Sequence, residues 1–282
     1  MRGPIALETS LTVRRVIKAN ASLSALRKSA SEYEKKLLAD RKEKLRQLSK
    51  ARADQDRFRT LSGEELDLVE QILEEGSGLE EIVDDITRDD LRSLAPREWL
   101  NDKVMGNYLL LIGKRSKENP GDYPNCHVFA THFYTLLSRT GRGYDFDRVK
   151  SWTRRVDLFS MDVIIMPIHM GNHWTMAIVL PQKHHIDYYD SLGGTNSKCV
   201  DILKRYMKDE YKDKKKTELK ASWTHTFQRD IPQQNNGYDC GVFACRFAEC
   251  AGRGSAPDFS QSRMAYFRQR MILEIVSKKI AL

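Results

Sequence analysis

The sequence contains no apolar run long enough to cross a membrane, which takes about 20 consecutive apolar residues. It opens without the apolar core of a secretory signal. Cysteine is scarce: Cys126, Cys199, Cys240, Cys245 and Cys250 are the five in 282 residues. An odd, sparse set argues against a secreted disulfide scaffold and for a reducing compartment. No C-x-x-C pair is present; Cys240, Cys245 and Cys250 recur every fifth residue, and His184-His185 is a doublet in a turn. Structural-zinc spacing is thus missing, so no metal and no cofactor is expected. No internal repeat is present.

Acidic residues are nearly absent from the start of the chain. Residues 1–30 hold Glu8 alone, beside Arg2, Arg14, Arg15, Lys18, Arg27 and Lys28. That composition predicts a mobile basic tail and is shared by organelle transit peptides. Residues 31–59 lack glycine and proline, and pairs such as Glu32/Lys36 and Asp40/Lys44 have i,i+4 spacing. A solvated helix is expected there, because the apolar residues are too few for a coiled-coil stripe. Residues 1–60 hold 16 Lys+Arg against 7 Asp+Glu, whereas 61–282 hold 31 against 32. The net charge of +8 therefore belongs to the extension. A nucleic-acid-binding domain carries its basic residues on the folded face, so nucleic acid is not an expected partner. Its binding would be salt-dependent and lost with residues 1–60.

From Leu61 the composition becomes that of a globular domain. Ser62-Gly63-Glu64-Glu65 has capping-box character before Leu66, Val69, Ile72 and Leu73. Ile82 to Leu91 predicts an extended segment feeding a short helix, and Asn101 to Ile112 a helix. His127 to Tyr134 is helix or strand; periodicity does not separate them. Three strands follow at Asp162–His169, His173–Leu180 and His185–Asp190, with a turn at Pro181-Gln182-Lys183. Val200–Tyr211 predicts an amphipathic helix, Lys212–Lys216 a charged loop, and 241–251 and 262–280 two more helices. Helices around a central antiparallel meander define an α+β domain.

Within that frame one stretch carries chemistry. The polar loop Pro232-Gln233-Gln234-Asn235-Asn236-Gly237-Tyr238-Asp239 runs into Cys240-Gly241 and then the apolar Val242–Ala248. This places a cysteine at the first turn of a buried helix, where partial positive charge favours the thiolate. His173 opens one strand and Asp190 closes the next, so a hairpin turning at 181–184 would bring them together at its open end. An imidazole can take the thiol proton, and a carboxylate behind it fixes the tautomer. Gln234, with Gln233 as the neighbouring possibility, could donate to a developing oxyanion together with the Cys240 N–H. The bland alternatives are a core cysteine, a strand-end histidine and a turn-starting aspartate. The core reading suits Cys245 and Cys250, inside the apolar run, better than Cys240.

These residues resemble the Ulp/SENP-type SUMO proteases. The resemblance is carried by His173-Trp174, Asp190-Ser191 and Gln233 through Gly241. Further matches are Trp99-Leu100-Asn101-Asp102, Ser151 through Phe159, Met166-Pro167-Ile168-His169, Trp223-Thr224-His225 and Arg268-Gln269-Arg270-Met271. It spans Leu61 to Leu282 in unbroken order, with a longer connection at Gly141–Asp147. The resemblance implies an adenovirus-protease-like α+β fold with a papain-like core and a central antiparallel sheet flanked by helices. It implies cleavage after the C-terminal Gly-Gly of SUMO, in precursor maturation and in release from lysine isopeptides. It assigns His173 as base, Asp190 as orienting acid, Cys240 as nucleophile and Gln234 as oxyanion donor. Trp99 and Trp174 would clamp the Gly-Gly tail, and Asp102 would meet a basic residue of SUMO. SUMO and SUMO-conjugated proteins are then the expected partners, of a monomeric catalytic domain at 61–282. Residues 1–60 would form an addressing extension, with the nucleus or nuclear envelope the expected location and the cytoplasm a second. The competing readings are a protease for another Gly-Gly modifier, such as the neddylation modifier, and an inactive SUMO-binding module.

Overall fold

The computed structural model describes residues 31–41, 44, 58–78, 80–138 and 143–280. The chain divides between residues 59 and 60 into two compact units. In the first, residues 31–41 and 44 are helical and exposed (α1), as their i,i+4 charge pairs predict. The basic segment 1–30 and most of the remaining expected helix lie outside the described residues.

The second unit opens with α2 (Gly63–Glu74), whose Ser62 and Glu65 form a reciprocal capping box. A small hairpin, β1 (Glu81–Val83) and β2 (Ile86–Thr87), feeds α3 (Arg88–Arg92) through a second capping box between Thr87 and Asp90. Helix α4 (Asp102–Glu118) starts where Asn101 Oδ1 accepts from the Val104 N–H at 2.8 Å. The ambiguous stretch after His127 contains both elements: β3 (Cys126–Val128), then α5 (Phe133–Leu137). The remaining elements are β4 (Val163–His169), β5 (Trp174–Leu180), β6 (His185–Tyr189), α6 (Ser197–Lys215), β7 (Thr224–Phe227), α7 (Cys240–Gly252) and α8 (Met264–Val276).

The main sheet has the order β3-β4-β5-β6-β7. Its centre is the expected antiparallel meander, but both edges are parallel: β3 to β4, and β6 to β7. The sheet is therefore mixed. The physical reason is connection length. Tight turns join β4, β5 and β6, whereas β3 and β7 are reached through crossovers that contain helices α5 and α6, as parallel neighbours require. Helix α6 also absorbs the expected charged loop as far as Lys215. Lys212 pairs with Glu218 and Lys215 with Asp157, so charges at the helix C-terminus find carboxylates.

Strands β4 and β5 bury all but their last residue, which explains their unbroken apolar sequence. One face, through Ile164, Met166, Ala177 and Val179, joins the cluster with Phe133 of α5 and Leu203 and Tyr206 of α6. The other face meets α7, where Tyr189 stacks on Phe247 at 5.0 Å. Every residue of α7 except Ala251 is buried. Its cost is moderated by charge matching: Glu249 receives Arg115, Arg246 and Arg253 at 2.9, 3.0 and 3.0 Å. Burial alone would push the Glu249 carboxyl up, yet those arginines hold it at about 2. The longer connection at Gly141–Asp147 is pinned to α6 in its described part, where Tyr144 donates to Asp209 at 2.6 Å.

Candidate active site

The site forms at the open end of the β5–β6 hairpin. Register pairs Met176 with Tyr189 and Leu180 with His185, leaving 181–184 as the turn. His173 and Asp190 flank the paired residues at the opposite end, and His173 Nε2 meets Asp190 Oδ1 at 2.7 Å. Asp190 is fixed in turn by the Leu192 N–H at 2.9 Å and by the Gly194 N–H. A side-chain carbon at Gly194 would lie 2.4 Å from Asp190 Oδ2, so any other residue there would displace the Asp190 carboxylate.

Cys240 is the first residue of α7, and its thiol is hydrogen-bonded to His173. With Nε2 on Asp190, the Nδ1 side of the imidazole serves the sulfur. Burial opposes ionisation of Cys240. The hydrogen bond to His173, the Trp174 N–H and the Gly241 N–H outweigh it and bring the thiol below its ordinary value. The partners Asp190 and then Cys240 raise His173 to about 9 against the opposing effect of its burial. Asp190 is lowered: burial pushes it up, but His173 and the Leu192 and Gly194 N–H groups prevail. These shifts together favour a thiolate–imidazolium pair with a carboxylate behind the imidazole. Cys126, Cys199, Cys245 and Cys250 contrast with it, since burial raises all four.

Of the two oxyanion candidates, Gln234 is buried and Gln233 exposed. Gln234 is held by its backbone N–H on the Ser191 carbonyl at 2.9 Å. Its Oε1 accepts from Ser191 Oγ at 2.6 Å, and Nε2 donates to the Asn236 carbonyl at 2.7 Å. An amide nitrogen carries two hydrogens, so one remains to be directed at another acceptor.

A cavity of about 290 Å³ ends at Cys240. Trp99, Asp102 and Trp174 all line it. The two tryptophans differ: Trp99 is 57% exposed and Trp174 only 7%. Trp174 is buried and also packs at 4.3 Å from the exposed His169 ring, so it belongs to the core as well as to the cavity wall. Among the described residues no group of three or more His, Cys, Asp or Glu could hold a metal ion.

Two features escaped the sequence reading. Asp239, beside the thiol, is paired with Arg268 of α8 at 2.8 Å. The signal was a charged residue at the spacing of the apolar Met264, Phe267, Met271 and Ile275, since a buried charge requires a partner. The other is Gly241, where an added Cβ would lie 2.7 Å from Leu100 Cβ. Gly241→Ala is expected to cost about 1–3 kcal/mol of stability through overpacking and to push Leu100 and Trp99 away from Cys240. Chemical denaturation and steady-state kinetics of that variant check this; unchanged stability would mean Leu100 yields without strain.

A thiol at a helix N-terminus, an imidazole and a carboxylate on an α+β scaffold define the thiol-hydrolase class of site. The profile described as the Ulp1 protease family, C-terminal catalytic domain, matches residues 98–279, and the chain belongs to that family. It is 42% identical over 218 residues to a sentrin-specific protease of Caenorhabditis elegans, covering 76% of this chain and 31% of that one. It is 37% identical over 198 residues to human sentrin-specific protease 2, covering 69% and 33%. The chain thus spans about a third of the length of these relatives. Among solved structures it resembles the C-terminal Ulp1 protease domain in complex with Smt3, the yeast ortholog of SUMO. That likeness has a TM-score of 0.67 at 29% identity, covering 78% of this chain and 97% of the other. The fold is that of the Ulp1 catalytic domain.

Proposed function

We propose that this chain is a SUMO-specific cysteine protease, cleaving after the C-terminal Gly-Gly of SUMO in precursor maturation and in release from target lysines. The observation that carries the reading is the Cys240–His173–Asp190 constellation at the end of a cavity walled by Trp99 and Trp174. Indole walls leave room for a strand without side chains, so exclusion selects Gly-Gly. Asp102, exposed at the start of α4 on the cavity rim, is suited to a basic residue of the modifier.

In this reading the Cys240 thiolate attacks the terminal glycine carbonyl carbon. The oxyanion is received by Gln234 Nε2 and the Cys240 N–H. His173 gives its proton to the departing amine, the carbon–nitrogen bond breaks, and a thioester remains. Water then attacks the thioester while His173 takes its proton. The thiolate leaves, freeing the SUMO carboxylate and restoring the pair. Asp190 keeps the imidazole oriented throughout.

The test is reaction with C-terminal electrophilic probes built on SUMO and on the neddylation modifier, side by side. A Cys240 adduct with the SUMO probe alone is the expected result. An adduct with the other probe alone would keep the chemistry and replace the substrate. No adduct in folded protein would favour a binding module.

A further inference from the structure

Arg268 joins two stretches of chain that lie far apart in sequence and meet at the site. It is 4% exposed, in the middle of α8. Its Nε and Nη2 donate to Asp239 Oδ1 at 3.0 and 2.8 Å. Nη2 also donates to the Tyr238 carbonyl at 3.0 Å and the Glu98 carbonyl at 2.9 Å. Nη1 donates to the carbonyls of Ser93 and Ala95 at 3.3 and 3.1 Å. Tyr238 and Asp239 lead directly into Cys240; Glu98 leads directly into Trp99. A single planar guanidinium therefore holds the nucleophile loop and the segment that carries the cavity wall.

Asp239 is equally committed. Its Oδ2 accepts from Asn236 Nδ2 and Gln261 Nε2, each at 2.8 Å. The carboxylate is 3% exposed and adjacent in the chain to the thiol. Unpaired, it would be a buried negative charge one residue before a group that must become negative, and like charges oppose ionisation. Arg268 is the cation that matches it.

We propose that Arg268 is a positioning residue for the reaction, setting the spacing of Trp99 from Cys240 and cancelling the charge of Asp239, the residue before Cys240. The proposal rests on the reading of Cys240 as nucleophile. Lysine cannot substitute fully, because a point charge with three donors cannot reach carbonyls from two segments and a carboxylate in one plane. The other titratable groups around the thiol are His173 with Asp190 behind it, and Asp102, His132 and His169 on the cavity wall. None of these touches Arg268 through the bonds above, so their pairing stays the same when Arg268 is changed.

The test uses the full chain with Arg268→Lys, Arg268→Gln and the double variant Arg268→Gln/Asp239→Asn. One readout is the pH dependence of Cys240 alkylation by iodoacetamide, mapped by mass spectrometry. The four other cysteines are buried with raised thiol pKa values, which leaves Cys240 the reactive one. The second readout is kcat and KM on a SUMO precursor, with near-UV circular dichroism to verify folding. Arg268→Gln is expected to raise the alkylation midpoint by about one pH unit, with alkylation about tenfold slower at neutral pH. Its KM is expected to rise about tenfold as Trp99 loses its support. The double variant is expected to restore the midpoint while KM stays high, a split that a general loss of stability would not produce. Arg268→Lys should keep the midpoint and raise KM several-fold, and it decides the matter alone if Arg268→Gln does not fold. A folded Arg268→Lys or Arg268→Gln with wild-type midpoint and KM overturns the proposal, as does a midpoint that stays high in the double variant. Alkylation needs no SUMO, so this readout stands even if the substrate assignment fails.

Discussion

Replacement of Cys240 by serine is expected to lower kcat by at least about 10⁴-fold while leaving SUMO affinity within about threefold of wild type. The reason is specific to the site. The imidazolium of His173 and the Trp174 and Gly241 N–H groups bring a thiol below its ordinary value against burial. A serine hydroxyl is so much weaker an acid that the same environment leaves it neutral. The cavity walls at Trp99 and Trp174 are unchanged by replacing sulfur with oxygen, so the tail still enters. Single-turnover cleavage of a SUMO precursor and a binding titration measure the two quantities separately. Turnover within tenfold of wild type would remove Cys240 as nucleophile. Loss of both binding and turnover would instead mean that the thiol shapes the cavity.

The second large effect concerns His173. Activity is expected to follow a bell-shaped pH profile, because the thiolate–imidazolium pair exists only between two ionisations. On the acid side the thiolate takes up a proton, at a pH below the ordinary thiol value, since the Cys240 thiol is lowered. On the alkaline side the imidazolium loses its proton, near pH 9. The two steps belong to the coupled pair. His173→Ala is expected to reduce kcat by about 10³–10⁴-fold and to move the midpoint of Cys240 alkylation upward. Burial, which opposes the thiolate, then faces only the backbone N–H groups. Alkylation rates between pH 5 and 10 for both proteins give the comparison. An unmoved midpoint in His173→Ala would show that the helix N-terminus, not the imidazole, holds the thiolate.

Local chemistry was legible wherever it depends on neighbours in the chain. The capping box at Ser62 starts the helix it predicts, because a cap is satisfied within three residues. The apolar runs of β4 and β5, and the meander through β6, follow from composition and turn residues. The hairpin geometry made the His173–Asp190 pairing foreseeable, since register alone puts the two at one end. Sequence did not separate strand from helix after His127, where a three-residue strand passes into a five-residue helix and neither completes a period.

What the sequence determined by itself, then, is the central meander and most of the long helices, the polar loop leading into a cysteine, and the family those motifs resemble. Tertiary structure decided what no local rule reaches. It made the edge strands parallel, because crossovers through α5 and α6 set their direction. It buried Gln234 and left Gln233 exposed, because the Ser191 hydroxyl and carbonyl take hold of one residue only. It divided the two tryptophans between core and surface. It also bonded Arg268 to both Glu98 and Asp239, the residues before Trp99 and Cys240. Each of these depends on contacts between segments dozens to well over a hundred residues apart, where burial and charge pairing, not sequence proximity, select the partner.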